Sequence, residues 1–160
     1  MKTNQELGLA KRRALRIIRR IQPNTARSLP GLILREIKKG KKGNGAFRRA
    51  YEIVGTGLVI KFPRQDYADN AEHTRDEVKK IRALSKYRSL KKHLPPVYYY
   101  NRRDGVMVTD YYPLVSPAKN LGPMFTDLLY EFTGVVVGDL FGDNVRCKKP
   151  GQPVIVDLGY

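Results

Sequence analysis

A chain of 160 residues with 41% hydrophobic side chains can pack one domain or two small lobes, which excludes wholesale disorder. Lys and Arg number 31 against 15 Asp and Glu, a net charge of +16, so the surface field favours polyanionic partners: nucleic acid, an acidic protein or nucleotide phosphates. One cysteine, Cys147, excludes an internal disulfide and a Cys-rich zinc site, and no apolar run serves as a signal peptide or approaches the roughly 18 residues of a membrane span, so a soluble cytoplasmic protein with no membrane partner is expected.

In chain order, "TNQELGLAKRRALRIIRRIQPN" predicts a helix. Thr3 and Glu6 have capping-box spacing, Leu7, Ala10, Ala14, Ile17, Ile18 and Ile21 recur at helical spacing, and Pro23 ends the pattern. The opposite face carries Lys11, Arg12, Arg13, Arg16, Arg19 and Arg20. Two readings stand for it: a basic helix that docks on nucleic acid or an acidic partner, or an amphipathic helix packed on the domain with a solvated charged face. "SLPGLILREIKKGKK" admits a helix capped by Ser28 and ending near Gly40, or a strand in its later half. "RRAYEIVGTGLVIKFP" predicts a hairpin turning at Gly55-Thr56-Gly57. "ADNAEHTRDEVKKIRALSKY" predicts a helix with Val78, Ile81 and Leu84 on one face, and "PPVYYYNRRDGVMVTDYYP" a second hairpin turning at Asp104-Gly105. "LGPMFTDLLYEF" reads as a short helix and "VIVDLGY" as a buried strand. The sum is an α+β fold.

Three stretches carry residues suited to phosphate chemistry. Gly43 and Gly45 flank Asn44 before one strand, and Lys61 lies on the next. Glycines let backbone amides approach phosphates, and a neighbouring Lys neutralises them, although taken alone the glycines are better explained by a surface turn. Glu77 lies on a helix from which a carboxylate can fix such a lysine, or else faces solvent. Near the C-terminus, Asp139 and Asn144 share a loop, and Asp157 follows Val154, Ile155 and Val156. A carboxylate at a strand end with an Asn carbonyl can coordinate a cation on a nucleotide, and a second Asp can accept a hydroxyl proton.

In this order the stretches resemble the protein-kinase family. "GNGAFRRAY" resembles the glycine-rich loop, "LVIKFP" the strand with the phosphate-binding lysine, "EHTRDEVKKI" the regulatory helix, "MVTDYYP" the hinge, "GDLFGDN" the catalytic loop and "VDLG" the metal-binding motif. The resemblance implies a reduced kinase-like fold and ATP- and Mg²⁺-dependent phosphoryl transfer, directed at a protein Ser or Thr. It implies Gly43, Asn44, Gly45 and Lys61 at the phosphates, with Glu77 as the ion-pair partner of Lys61. Thr109 is then the gatekeeper, with Asp110, Tyr111 and Tyr112 along the adenine. Asp139 is the catalytic Asp, and Asn144 and Asp157 are the metal ligands. It divides the chain into a basic helical extension over 1–39, a first lobe over 40–112 and a reduced second lobe over 113–160.

The departures are specific. Arg48 stands at the third loop glycine, Val137-Gly138 precede the catalytic Asp, and Phe141 replaces a usual polar residue. The sequence stops at Tyr160, one residue past Asp157-Leu158-Gly159, so the expectation is a kinase cut down to its nucleotide-binding half. The other expectation, favoured by Arg48 and the missing lobe, is an inactive pseudokinase that binds an acidic partner or nucleic acid through its basic surface.

Overall fold

The capping box forms as spelled. In a computed structural model of the chain, which describes residues 3–64, 70–115, 144–147 and 152–158 together with 127, 130, 131 and 134, helix α1 spans Asn4–Ile21. The Glu6 amide donates to Thr3 Oγ1 at 3.2 Å, and the Thr3 amide donates to Glu6 Oε2 at 2.7 Å. At the other end Gln22 takes the left-handed conformation (φ 50°) and donates to the Ile18 carbonyl, after which Pro23 bars continuation. A 3₁₀ turn (Ala26–Ser28) leads to α2 (Gly31–Lys39), which buries Ile33 and Ile37 one turn apart. This resolves the helix-or-strand ambiguity of that stretch in favour of a helix. Gly40 follows it where a Cβ would lie 2.6 Å from the Glu52 carbonyl oxygen.

The strands β1 (Lys42–Asn44), β2 (Arg48–Ile53), β3 (Leu58–Pro63), β4 (Val97–Asn101) and β5 (Val106–Asp110) form an antiparallel sheet in the order β1-β2-β3-β5-β4. Both expected hairpins are present. The β2–β3 turn places Gly55 and Gly57 at φ 74° and 67°, and the Thr56 hydroxyl donates to the Ile53 carbonyl. The β4–β5 turn is built by the Asn101 carboxamide oxygen, which accepts from the Arg103 and Asp104 amides, and by Gly105 at φ 64°.

Packing divides the chain into two compact units, Met1–Thr74 with Pro96–Tyr111 and Arg75–Pro95 with Tyr112–Tyr160. In the first, Ala14, Leu15 and Ile18 of α1 and Ile33 and Ile37 of α2 share one core with Ile53, Leu58, Ile60, Phe62, Val106 and Val108 of the sheet. Helices α1 and α2 thus pack on the sheet. Their apolar stripe covers a sheet face. The second unit holds most of α3 (Asn70–Leu84), the short α4 (Arg88–Lys91) and a three-stranded sheet of β6 (Leu114–Val115), β7 (Val145–Cys147) and β8 (Pro153–Ile155) in that order. Val78, Ile81 and Leu84 of α3 are buried, as the helical spacing predicts, together with Val145, Cys147, Val154, Ile155 and Leu158. The helix expected over 121–132 lies mostly outside the described residues, among which Asp127, Tyr130 and Glu131 are helical. No helix among the described residues is long and apolar enough to cross a membrane.

Candidate functional site

The period of two along β3 separates its side chains. Leu58, Ile60 and Phe62 enter the core beneath α1 and α2, so Val59 and Lys61 lie on the other face. Register pairs Lys61 with Ala50 on β2 and with Met107 on β5, and pairs Val59 with Thr109. Lys61, Met107 and Thr109 thus share one sheet face, at 7%, 0% and 1% exposure. A lysine this buried on the middle strand of a sheet is unusual, because burying an ammonium is costly unless opposite charge compensates it. Arg48, opposite Pro63 on the same face, is buried as well.

The glycine-containing stretch is the β1–β2 hairpin. Gly43 and Asn44 belong to β1 and are exposed, and the Gly45 amide donates to the Arg48 carbonyl at 2.9 Å to close the turn. Phe47 stacks on His73 of α3, ring centroids 3.9 Å apart. The hairpin is thereby tied to the first turns of that helix.

Asp110 ends β5 opposite Leu58, on the face that bears α1. Its carboxylate accepts from Lys11 Nζ at 2.6 Å and from the Tyr98 hydroxyl at 3.2 Å. Burial alone lowers the pKa of Lys11, but the hydrogen bonds to Asp110 and Tyr98 outweigh it and the net shift is upward. Burial raises Tyr98. The Asp110 side chain is thus committed to α1, and any contact of Asp110 with a bound base falls to its backbone. The Tyr111 amide donates to the Gly57 carbonyl at 2.9 Å, and Tyr112 is buried.

In the second unit, β7 and β8 form an antiparallel pair, Val145 opposite Ile155. One step beyond that pair the Val156 amide donates to the Asn144 carbonyl at 2.8 Å. Asn144 and Asp157, far apart in sequence, are therefore brought to the same end of one hairpin. Lys80 of α3 donates to the Leu158 carbonyl at 3.1 Å. Burial lowers the pKa of Lys80, while the charges of Asp76 and Asp157 work against that shift. The Ile155 amide donates to the His93 carbonyl, and His93 Nδ1 lies 2.9 Å from the Pro153 carbonyl oxygen, anchoring β8 to the segment after α4. These contacts of Lys80 and His93, which fix the backbone around β8, were missed by sequence reasoning. The only available signal for Lys80 was its place one turn after Glu77. Glu77 itself is fully buried on α3.

Asn144 therefore lies beside the residue that precedes Asp157, and a carboxamide and a carboxylate are oxygen donors of the type Mg²⁺ takes when substrate phosphates complete its shell. Among the described residues no group of three or more His, Cys, Asp or Glu is placed to hold a metal ion by itself. Asp139 lies outside the described residues. No family model matches the chain, and no curated protein matches it.

Proposed function

We propose that the chain is a reduced kinase-like phosphotransferase that uses ATP and Mg²⁺ to phosphorylate a protein Ser or Thr hydroxyl. The observation that carries this reading is the Val156–Asn144 backbone hydrogen bond, which joins one oxygen donor, Asn144, to the residue that precedes the other, Asp157. The buried Lys61 on the middle strand supports it. In this scheme Lys61 neutralises nucleotide phosphates, and Glu77 is the carboxylate that the kinase resemblance assigns to it. The amides around Gly43, Asn44 and Gly45 approach the phosphates, and Thr109 with the backbone of Asp110 to Tyr112 borders the base. Asn144 and Asp157 would hold Mg²⁺, which supplies neutralisation of the phosphates when bound. Asp139 accepts the proton of the acceptor hydroxyl.

ATP with Mg²⁺ should raise the melting temperature of the protein, since ligand binding stabilises the folded state. Lys61→Ala and Asp157→Ala should each remove most of that shift. Asp139→Asn should keep it and lose transfer of radiolabelled phosphate. An unchanged melting curve at millimolar ATP-Mg²⁺ would sink the proposal.

A second reading, binding without catalysis, is favoured by the exposed Arg12, Arg13, Arg16 and Arg20 on a helix whose apolar face is already covered. Such a stripe suits nucleic acid. Replacing Arg12, Arg16 and Arg19 with Gln should weaken duplex binding and flatten its salt dependence by about 0.9 in log-log slope per lost phosphate contact. Unaltered affinity and slope would dispose of this reading.

A further inference from the structure

The five-stranded sheet of the first unit ends in β4 on one side and β1 on the other. At β4 no residue is exposed, and Arg19 of α1 donates through Nη2 to the Tyr98 carbonyl at 3.0 Å. At β1, by contrast, Lys42, Gly43 and Asn44 are all exposed. The ladder fixes which of their backbone groups are left open. The Glu52 amide donates to the Lys41 carbonyl at 3.0 Å, and the Gly45 amide to the Arg48 carbonyl at 2.9 Å. Hydrogen-bonded pairs alternate along an antiparallel ladder, so Gly43 and Ala50 form the bonded pair between these two. Lys42 opposite Tyr51 and Asn44 opposite Arg49 are then non-hydrogen-bonded pairs, whose N–H and C=O groups on β1 point away from β2. Among the described residues, none bonds to those groups. Two outward donors and two outward acceptors thus stand along an uncovered edge, which is a template for another strand.

The side chains beside that edge select the newcomer. Lys42 and Asn44 share one sheet face, and Arg49 lies in the cross-strand row behind Asn44. Lys42 and Arg49 are exposed, and neither is in an ion pair among the described residues. An added strand would set two alternate residues opposite Lys42 and Asn44, on the face that carries both cations. We propose that the β1 edge takes an extended segment of an acidic partner protein by strand addition, with acidic residues at those two alternate positions. A second copy of this chain is a poorer occupant, because each copy carries +16 and brings its own Lys42 to the contact. The proposal depends on neither the ATP reading nor the nucleic-acid reading.

Calorimetric titration of the full chain with a capped peptide, in which glutamate alternates with threonine and valine, tests the assignment. The peptide should bind saturably at one site, and a version with lysine in place of glutamate should not. N-methylation of its two central glutamate residues removes the amide donors that strand addition uses and should weaken binding about tenfold or more. Asn44→Pro removes one outward N–H and no bond of the β1–β2 ladder, so it should weaken binding at an unchanged melting temperature. If that variant does not fold, the N-methylated peptide decides alone. Lys42→Gln and Arg49→Gln should each weaken binding about two- to fivefold. Arg12→Gln combined with Arg16→Gln, which addresses the nucleic-acid reading, should leave it within about twofold. Absence of saturable binding at about 1 mM peptide overturns the proposal. Equal affinity for the N-methylated peptide also overturns it, since capture then rests on surface charge alone. A wild-type dimer in sedimentation that Asn44→Pro returns to monomer overturns it too, by assigning the edge to a second copy.

Discussion

Replacing Lys11 with Met probes how α1 is fastened to the sheet. Lys11 Nζ lies 2.6 Å from Asp110 Oδ1, 2.8 Å from the Tyr98 hydroxyl and 4.1 Å from the centre of the Tyr98 ring. The Tyr98 hydroxyl donates in turn to Asp110 Oδ2, so three groups close a ring of hydrogen bonds. The Lys11 and Asp110 side chains are 26% and 16% exposed, between a surface pair and a core pair. Exposed pairs contribute about 0.2–1 kcal/mol and hydrogen bonds to charged groups about 1.5–3 kcal/mol. Methionine retains the packing of the aliphatic stem. The substitution should therefore cost about 1.5 kcal/mol in urea denaturation at pH 7. A double-mutant cycle with Asp110→Asn should return a coupling of about 1 kcal/mol.

The same ring of groups predicts a pH dependence. The ordinary values are 10.5 for Lys11 and 10.0 for Tyr98, and both groups hold their protons more tightly in the folded state. The folded state thus binds more protons at alkaline pH. The associated stability is complete below the unfolded values and is lost as pH rises through the folded ones. Stability should be level through neutral pH with respect to these groups and fall above about pH 10. Tyr99, raised by burial, adds a background slope of the same sign. The Lys11→Met, Tyr98→Phe double variant should have a shallower alkaline fall than wild type. A coupling under about 0.3 kcal/mol, or an identical alkaline slope, would refute the reasoning.

Ile18 is fully buried in α1, so Ile18→Ala should cost about 2–5 kcal/mol and lower the melting temperature by roughly 5–15 °C, whereas a shift under about 2 °C would mean that α1 is dispensable to the core. Gly57 and Gly105 both have positive φ, but a Cβ on Gly57 meets nothing within 4 Å, while one on Gly105 lies 2.8 Å from the Ala71 Cα. Gly57→Ala should cost about 1–2 kcal/mol by chemical denaturation, and Gly105→Ala clearly more, with equal losses counting against the close approach to α3.

The legible parts of the sequence were those set by local chemistry. The capping box at Thr3 and Glu6, the glycine turns and the stripe of Val78, Ile81 and Leu84 all depend on residues a few positions apart. The illegible parts depend on distant partners. β1, β6 and β7 are two or three residues long, too short for a period of two to register, and β6 is paired by residues far along the chain. Lys80 reads as one more helix cation until β8 brings the Leu158 carbonyl to it. The amphipathic spacing of α1 marks an apolar face without naming what covers it. The candidate site residues were named one by one from motif resemblance, and the approach of Asn144 to the Asp157 turn rests on a long-range backbone hydrogen bond that no spacing predicts.

A net charge of +16 makes it tempting to read every arginine as a binding residue. Burial discriminates among them. Arg12, Arg13, Arg16 and Arg20 are exposed, so each retains its hydration and costs the fold little. Lys61 and Arg48 are buried on one sheet face, where each cation forfeits water and is held by interactions with its neighbours. Arg49 is exposed and Arg64 half-buried, and both line one cavity beside the sheet. Among the described residues, the two faces of the first-unit sheet thus concentrate positive charge in different ways: one by burial, the other by convergence. On α1, by contrast, the apolar side, Lys11 and Arg19 already serve the fold, while Arg12, Arg13, Arg16 and Arg20 stay hydrated.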